Sequence, residues 1–400
     1  MKCIHPSEAD DLIFANLPKV EAVDLPLVNC AGRILRESIH ADRPFPPFNR
    51  AMMDGYAIRS TDLPAVTDFD IVAELPAGAP PVEIGNNSGG CVEIMTGAVV
   101  PRDSDCVIPY ELTKKLDNGQ ITLENPDQHN SGDYIHSVGS DQAEGTLLLE
   151  AGRVLGSREI AIAATCGHVH LKVSKMPAIT IVSTGDELVD VKQTPQAHQI
   201  RRSNDVAIEA ALGRSHLDVQ ESVHLPDDLE AVQSQLSRVI QQNKFVIISG
   251  GISMGSKDYV PAVLDAMHLE KRIHGVAQKP GKPFGFWSSG STAIFALPGN
   301  PLSALVCLHR YVLPALKVSL GQSQVKPSKV LLANEIPPID RLTRFLPVKL
   351  LSSGFASPLL PQNSGDFVSI LSADGFIELQ PSKKKTEVKG GEPVNYYAWL

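Results

Sequence analysis

The sequence predicts a multidomain protein with one α/β domain, at about residues 177–320, between two β-rich regions. Three observations support this architecture. Four hundred residues exceed what a single hydrophobic core normally serves. Apolar strands alternate with helices in the central stretch, which is typical of a parallel sheet covered on both faces. On either side, short runs of alternating polarity are separated by turn residues, and the chain contains 30 prolines and 30 glycines.

The N-terminal region is predicted to combine short strands with two helices. Ser7 followed by an apolar pattern predicts a capped helix that ends near Leu17. Prolines in ADRPFPPFNRAMMDGYAI (41–58) prevent a helix from continuing through that stretch. Short strands broken by turns follow as far as Leu149, and a second helix is predicted at 157–165.

The central region alternates predicted strands and helices, a pattern that is typical of an α/β domain. Its strands are short apolar runs, predicted at 178–183 (AITIVS), 245–249 (FVIIS) and 292–297 (TAIFAL). Its helices are predicted at 203–212, 227–243, 259–267 and 301–316. After about residue 325, the runs KVLLANEI, FLPVKLL and GFIELQP predict a return to strands.

Composition and charge narrow the class of function. The net charge of −9 and the pI of about 5.7 argue against a protein that binds nucleic acid over its whole surface. The N-terminus has no apolar segment of signal-peptide length, and no run approaches the roughly 18 apolar residues of a membrane helix. The six cysteines are scattered without a CxxC pair, so we expect a reduced, cytoplasmic protein without structural zinc.

Three loops are predicted to meet at one edge of the central sheet, because ligands of open parallel sheets bind outside the carboxyl ends of the strands. The loops are TGDEL (184–188), GGISMGSKDY (250–259) and PGNP (298–301). The second loop resembles a phosphate-binding loop, but Lys257 follows a serine instead of preceding it. An ordinary connection between a strand and a helix therefore stays open as an alternative.

Other charged residues are less specific on their own. KPGKP (279–283) holds two lysines between prolines, which suits an oxyanion, although lysines on a solvated turn are commoner. Arg201 and Arg202 either add positive charge to the site or lie in solvent. Asp54 lies in a tight turn, and Thr96 follows a predicted strand. No motif supports a zinc protease, a serine hydrolase or a simple dehydrogenase.

Six segments taken together resemble one family. In chain order they are PPFNRAMMDGYAI (46–58), EIMTGAVVPRDSDCVIPYE (93–111), VSTGDEL (182–188), SGGISMGSKDY (249–259), VAQKPGKPFGF (276–286) and FALPGNPLSAL (295–305). This order resembles the molybdopterin molybdenumtransferases, the MoeA family, which is similar to the C-terminal domain of gephyrin. The resemblance covers nearly the whole chain and is weakest after about residue 325.

The resemblance implies four domains. Domain I, a linker and helical domain, would comprise residues 1–27, 44–55 and 146–176, and the β-rich domain II would comprise 28–43 and 56–145. Domain III, at 177–322, would be a three-layer α/β molybdopterin-binding domain, and domain IV, at 323–400, a small β domain. The implied protein is a cytoplasmic homodimer with its site across the dimer interface. Its candidate partners are the molybdopterin adenylyltransferase and proteins that mature molybdoenzymes.

The implied reaction is the insertion of molybdate into adenylylated molybdopterin. Mg²⁺ would assist the hydrolysis of the adenylyl bond, which releases AMP and the molybdenum cofactor. Carboxylate and phosphate oxygens suit Mg²⁺, and cations with backbone N–H groups suit an oxyanion. Clusters of cysteine and histidine are not expected, since molybdenum binds the dithiolene sulfurs of the pterin itself.

The resemblance also assigns roles to individual positions. Asp54, Thr96 and Glu187 match catalytic positions, and Glu187 and Asp54 would bind Mg²⁺ or the attacking water. Further candidates are Asp141, Asp227, Asp228 and Ser364. The implied substrate-binding residues are Gly250, Gly251, Ser253, Gly255, Asp258, Lys279, Lys282, Pro298 and Pro301. Asp258 would recognise the pterin, the glycine loop a phosphate, and Lys279 with the PGNP loop the molybdate.

Three positions depart from the family pattern. Gly275 stands where many members have a lysine, Pro347 where an arginine is expected, and Asp366 adds negative charge near the proposed anion site. Two alternatives therefore stay open: a molybdopterin-binding or scaffold protein with reduced or lost turnover, and a molybdopterin adenylyltransferase. Retention of the family's acids argues against the first, and the length of the chain argues against the second.

Overall fold

The computed structural model describes residues 3–252, 259–267, 269–337, 341–360, 366–381 and 388–399. The chain divides into two compact units. Unit 1 comprises Met1–Glu37, Ala151–Ser157 and His170–Leu400, and unit 2 comprises Ser38–Glu150 and Arg158–Val169. The four-domain division that the resemblance implies is finer than this and stays a prediction.

The first part of the chain forms short strands and two helices, as predicted. Helix α1 (Pro6–Ala15) begins before the predicted start, because the ring of His5 caps it by accepting a hydrogen bond from the backbone N–H of Ser7. Helix α2 spans Ser157–Thr165. The strands are β1 (Ala22–Pro26), β2 (Ile39–His40), β3 (Arg50–Ala51), β4 (Gly55–Ile58), β5 (Asp68–Leu75), β6 (Gly90–Ile94), β7 (Cys106–Pro109), β8 (Thr113–Lys115), β9 (Ile121–Leu123), β10 (Ile135–His136), β11 (Leu147–Leu149) and β12 (His170–Ser174).

Unit 2 is built on a six-stranded sheet with the order β7-β4-β6-β5-β9-β8. Strand β4 is buried along its whole length, and its residues alternate between two apolar clusters. Tyr56 and Ile58 contribute to one cluster and Ala57 to the other, as the period of a strand requires. Two short antiparallel ribbons, β3 with β10 and β2 with β11, lie in the same unit. The prediction of a β-rich region is confirmed.

Within its described residues, the central region contains the three predicted strands and the four predicted helical stretches, together with six strands that were not predicted. Its helices are α3 (Asn204–Arg214), α4 (Leu229–Gln242), α5 (Val260–Ala266), α6 (Pro301–Cys307) and α7 (Leu313–Ser319). A π-helical segment (Leu308–Val312) joins the last two. The strands are β13 (Ile179–Thr184), β14 (Leu188–Val189), β15 (Ile200–Arg201), β16 (Glu221–Leu225), β17 (Phe245–Ser249), β18 (Glu270–His274), β19 (Gln278–Lys279), β20 (Gly285–Ser288) and β21 (Ala293–Leu297).

The central sheet has the order β16-β13-β17-β21-β20-β18. The first four strands are parallel, and both faces are covered, since Ile247 of β17 belongs to one core while Val246 and Ile248 belong to the other. The prediction of a parallel sheet is wrong at one edge, where β20 and β18 run antiparallel. Only residues 289–292 connect β20 to β21, too few for the crossover that a parallel pair needs.

Among the described residues, one helical stretch, Pro301–Ser319, is long and apolar enough to cross a membrane by length and composition. Most of this stretch is buried inside the protein. Cys307, Leu308 and Tyr311 pack into the larger core beneath the central sheet, so the stretch is a core helix of unit 1.

The C-terminal region forms a small sheet, as predicted. Its strands are β22 (Ser328–Leu332), β23 (Thr343–Leu350), β24 (Phe355–Pro358), β25 (Gly375–Leu379) and β26 (Pro393–Ala398). The order is β19-β23-β24-β22-β26-β25, and a further pairing of β23 with β25 closes the five strands on themselves. Pro347 lies within β23 opposite Phe376, and its carbonyl accepts a hydrogen bond from Leu359.

Candidate functional site

The carboxyl ends of three neighbouring strands, β13, β17 and β21, open into one pocket of unit 1. The three loops that follow these strands meet around a cavity of about 450 Å³, as the sequence predicts. Residues 200–205, which lead into α3, form a further wall. The pocket therefore lies where open parallel sheets bind their ligands.

Glycine allows two of the loops to approach each other closely. Gly250 and Gly251 adopt positive φ angles of 92° and 63°. A Cβ atom on Gly250 would lie 2.8 Å from the backbone oxygen of Thr184, and one on Gly251 would lie 2.6 Å from the Cγ2 atom of that threonine. The glycines are required for this contact as well as for the bare backbone that they present to the pocket.

Asn204 lines the pocket and joins the end of β17 to the PGNP loop, and the sequence analysis did not single it out. Its Nδ2 atom donates hydrogen bonds to the hydroxyl of Ser249, at 2.9 Å, and to the carbonyl of Gly299, at 2.8 Å. Asn204 is the first residue of α3, so the helix fixes the position of this amide. The signal in the sequence was an amide two positions after the basic pair at 201–202.

Two of the predicted acids line this pocket. Glu187 follows β13, and Asp227 follows β16. The hydroxyl of Thr184 donates a hydrogen bond to Asp227 at 3.2 Å, and the backbone N–H of Asp227 donates to the carboxylate of Asp186 at 3.0 Å. These contacts orient the Asp227 carboxylate at the rim.

Asp228, the alternative to Asp227 in the sequence analysis, has a structural contact. Its carboxylate accepts a hydrogen bond from the backbone N–H of Ala231 at 2.8 Å and so caps α4. It is not among the described residues that line the pocket. The structure therefore separates the two neighbouring acids, one at the pocket and one at a helix end.

Arg201 and Arg202 line the pocket and give it positive charge. The guanidinium of Arg202 lies 2.9 Å from the carboxylate of Asp190 and 3.6 Å from that of Asp205. Its Nε atom is buried and has no hydrogen-bond partner among the described residues. The Nε–H of Arg202 is therefore a donor available to a ligand, while Arg201 uses its Nε–H on the carbonyl of Gln193.

The predicted prolines and lysines differ in their relation to the pocket. Pro298 and Pro301 line the pocket together with the rest of the PGNP loop. Lys279 and Lys282 are exposed, and neither is among the described residues that line the cavity. Lys279 belongs to β19, which pairs with the C-terminal sheet.

Unit 2 contains a second group of predicted residues, centred on Asp54. The backbone N–H and the hydroxyl of Thr96 both donate to the Oδ1 atom of Asp54 at 2.7 Å. These two hydrogen bonds lower the pKa of the Asp54 carboxyl below its ordinary value. Asp54 is exposed, so it presents a carboxylate with one oxygen fixed by Thr96.

Asp141 lies in the same unit and is held by a histidine. The Nε2 atom of His136 is 2.8 Å from Asp141, and the Nδ1 atom of His136 accepts a hydrogen bond from the guanidinium of Arg50 at 3.0–3.3 Å. Because Arg50 can only donate, a neutral His136 carries its proton on Nε2 and donates it to the carboxylate. The sequence contained no local signal for this chain of contacts.

The remaining candidates fall outside the described residues or were not brought together. Ser253, Gly255, Asp258 and Ser364 lie outside the described residues. The described residues contain no group of three or more histidine, cysteine, aspartate or glutamate side chains arranged to hold a metal ion. Glu187 and Asp54, the two predicted Mg²⁺ ligands, belong to different units. The catalytic and binding roles of all these residues stay predictions.

Comparison with protein families gives three matches that follow one another along the chain. Residues 4–167 match the MoeA N-terminal region (domain I and II), and residues 180–318 match a probable molybdopterin binding domain. Residues 329–399 match the MoeA C-terminal region (domain IV). The pocket at the carboxyl ends of β13, β17 and β21 lies within the second match.

Individual relatives and solved structures agree with these matches. A molybdopterin molybdenumtransferase of Synechocystis is 37% identical over 403 residues, which covers 99% of this chain and 100% of the relative. A protein of the same name from Staphylococcus aureus is 29% identical and covers 94% and 91% of the two chains. The crystal structure of a molybdopterin biosynthesis MoeA protein from Pyrococcus horikoshii superposes over 100% of both chains with a TM-score of 0.80 at 27% identity.

Proposed function

The chain belongs to the MoeA family, and from this premise we propose that it inserts molybdenum into adenylylated molybdopterin with the help of Mg²⁺. Molybdenum insertion into molybdopterin is the activity that the family assignment supports. The adenylylated substrate and the cation are the finer part of the proposal. The observation that carries it is the pocket at the carboxyl edge of the domain that matches the molybdopterin-binding one.

Binding of a phosphorylated pterin is supported by four features of this pocket. The N-terminus of α3 lies in the wall of the pocket, where the helix dipole favours an anion. Arg202 offers an unpaired, buried Nε–H as a donor to a phosphate oxygen. Gly250 and Gly251 leave no side chain between their backbone and the substrate. Asn204 positions the loops on both sides by its two hydrogen bonds.

The donor atoms in this pocket fit Mg²⁺. The lining contributes the carboxylate of Glu187, the carboxylate of Asp227 and the hydroxyl of Thr184, and the described lining contains no cysteine or histidine. Mg²⁺ prefers oxygen ligands and keeps several waters, so two carboxylates and the phosphates of a substrate are sufficient. When bound, the cation neutralises charge on the adenylyl phosphate. Glu187 and Asp227 are the residues that would hold it.

In this proposal Asp54, held by Thr96, orients the attacking water or binds the cation. The hydrogen bonds from Thr96 keep the Asp54 carboxyl ionised, which suits a residue that orients water or binds a positive charge. Its second oxygen is left for that task. Asp141, oriented by His136, is a further acid of the same unit that the proposal includes.

A cytoplasmic homodimer, with the site completed across the dimer interface, is part of the same proposal. The resemblance to the MoeA family supports it. Two inactive variants, Asp54→Ala and Glu187→Ala, should recover activity when their chains are mixed and exchanged, because one site of each mixed dimer would retain both acids. Sedimentation at equilibrium gives the mass, and a monomer at micromolar concentration would contradict the dimer.

The decisive experiment measures AMP release from adenylylated molybdopterin by the full chain, with and without molybdate and Mg²⁺. We expect release that depends on both, and formation of molybdenum cofactor in equal amount. Glu187→Gln should abolish the Mg²⁺-dependent release of AMP, whereas the charge-neutral change Gln193→Ala, at a residue that contacts Arg201 only through its carbonyl, should not. Absence of molybdate-dependent release at any Mg²⁺ concentration would overturn the proposal.

A molybdopterin-binding protein with lost turnover is the second candidate, motivated by the departures at Gly275 and Pro347. Gly275 has a φ angle of 111°, a conformation that disfavours the lysine that the resemblance leads us to expect there. Pro347 occupies an interior position of β23. Tight binding of adenylylated molybdopterin without AMP release would favour this candidate.

A further inference from the structure

A second cavity lies in unit 1, at the opposite end of α3 from the pocket described above. Its volume is about 200 Å³. Most of its lining comes from residues 32–34, residues 214–217 at the end of α3, and residues 317–322 at the end of α7, and Val154, Ser174 and Met176 complete it. Since α3 has 11 residues, about 16 Å separate its two ends, so the two cavities are distinct.

The charged groups of this cavity have one sign. Arg33, Arg214 and Lys317 line it, and the described lining contains no aspartate or glutamate. Among the ion pairs of the described residues, none involves any of these three side chains. Burial lowers the pKa of Lys317. The cavity therefore concentrates positive charge that no carboxylate among the described residues pairs with.

Two polar atoms of the same cavity also lack partners. The hydroxyl oxygen of Ser215 and the Oε1 atom of Gln322 are both buried and without a hydrogen bond in the described part of the chain. Buried polar atoms are nearly always paired, so two in one cavity indicate that a ligand or an ordered water binds there. A half-turn of the Gln322 amide exchanges its oxygen for its NH₂ group, so it can donate to a ligand.

Helix dipoles account for only part of this arrangement. Arg214 and Lys317 lie in the last turns of α3 and α7, where a cation interacts favourably with the helix end. Arg33 lies on no helix, and a dipole gives no reason for the unpaired atoms of Ser215 and Gln322. An anion in the cavity accounts for all five residues.

We propose that this cavity binds a small tetrahedral oxyanion, of the class of sulfate, phosphate or molybdate, between Arg33, Arg214 and Lys317. Arginine and lysine supply the charge, and the hydroxyl of Ser215 and the amide of Gln322 supply directed donors. The site is separate from the pocket at the carboxyl edge of the sheet. Its lining comes from the ends of both α3 and α7, so an anion bound there joins the two helices and stabilises the folded chain.

The test is calorimetric titration of the full chain with sulfate, inorganic phosphate and molybdate in turn, at constant ionic strength set with chloride. We expect saturable binding that Lys317→Met and Arg33→Met each weaken at least tenfold. Lys317→Arg keeps the charge and should keep the binding. Lys114→Met, which removes an exposed lysine of unit 2, should bind as the wild type does. Circular dichroism checks that each variant is folded.

The outcomes separate clearly. Binding of all three anions with similar affinity assigns a general oxyanion site, and binding of molybdate at least tenfold tighter than sulfate and phosphate assigns a molybdate site. Absence of saturable binding by the wild type overturns the proposal. Equal binding by Lys317→Met and Arg33→Met also overturns it, since the anion would then be held elsewhere in the chain.

Discussion

Replacing Arg310 by methionine should lower the free energy of unfolding of unit 1 by about 3–5 kcal/mol. Arg310 lies in the π-helical segment between α6 and α7, and its guanidinium donates two hydrogen bonds to the carboxylate of Asp10, at 2.7 and 2.8 Å. Its Nε atom lies 3.3 Å from Glu378. The network joins α1, the core helix and β25.

The size of the loss follows from burial. The side chains of Arg310 and Glu378 are only 10% and 4% exposed, and that of Asp10 is 23% exposed. Removal of the cation leaves two carboxylates near each other in a poorly hydrated site, and an uncompensated buried charge costs far more than a lost surface pair. The methylene groups of methionine retain most of the packing, so the loss reports the charge.

Arg238→Met is the matched control. Arg238 also makes two hydrogen bonds to one carboxylate, that of Glu221, both at 3.0 Å, but these side chains are 38% and 41% exposed. Its replacement should therefore cost much less. Both tryptophans of the chain, Trp287 and Trp399, belong to unit 1, so fluorescence during urea unfolding follows that unit.

The pH dependence gives a second check. Burial raises the pKa of the Asp10 carboxyl, and Arg310 opposes this shift, so the pKa should rise further in Arg310→Met. A carboxyl whose pKa is higher in the folded than in the unfolded state costs stability at neutral pH, and the cost falls as acid protonates it. The difference from the wild type should shrink between pH 7 and pH 5. A difference as small as that of Arg238→Met, or one that grows toward acid, would refute the reasoning.

Three further predictions concern the candidate sites. Asn204→Ala should cost about 1–3 kcal/mol of stability and raise KM more than it lowers kcat, since two hydrogen bonds between loops are lost; unchanged kinetics would contradict this. Thr96→Val should raise the pKa of Asp54 and move the acid limb of the pH–rate profile to higher pH, and an unmoved limb would count against the role of Asp54. Gly251→Ala should lower the free energy of unfolding by about 1–3 kcal/mol, because the residue has a positive φ angle and its new Cβ would lie too close to a methyl group of Thr184. Gly299→Ala is the control, since no atom lies nearer than 3.8 Å to its new Cβ, and it should be nearly neutral in thermal unfolding. Equal losses of stability in the two variants would contradict the strain at Gly251.

Much of the fold could be predicted because its signals are local. The run FVIIS predicts a buried strand at 245–249, and β17 has those bounds. The general rule for parallel sheets then placed the loops after β13, β17 and β21 at one pocket. The antiparallel edge was missed, although the four residues between β20 and β21 are a local signal for it.

The candidate site was predicted in outline, and neighbouring residues were not told apart. The sequence offered Asp227 or Asp228, and the structure assigns one to the pocket and the other to the cap of α4. The two acids are adjacent in the chain, so their side chains point in different directions. That of Asp227 faces the pocket, and that of Asp228 faces the start of α4. Lys279 and Lys282 show the converse, since a family motif placed near the pocket two lysines that do not line it.

The sequence by itself determined the helices and the three parallel strands that border the pocket, the three glycine-bearing loops and the family to which the chain is similar. Tertiary structure alone decided the long-range partners. Asp10 and Arg310 pair across 300 positions, and Asn204 reaches a carbonyl 95 positions away. Secondary structure depends on the spacing of neighbours, which a sequence displays directly. Partners at this distance are set by how whole elements pack, and only packing determines which polar groups are paired and which are left for a ligand.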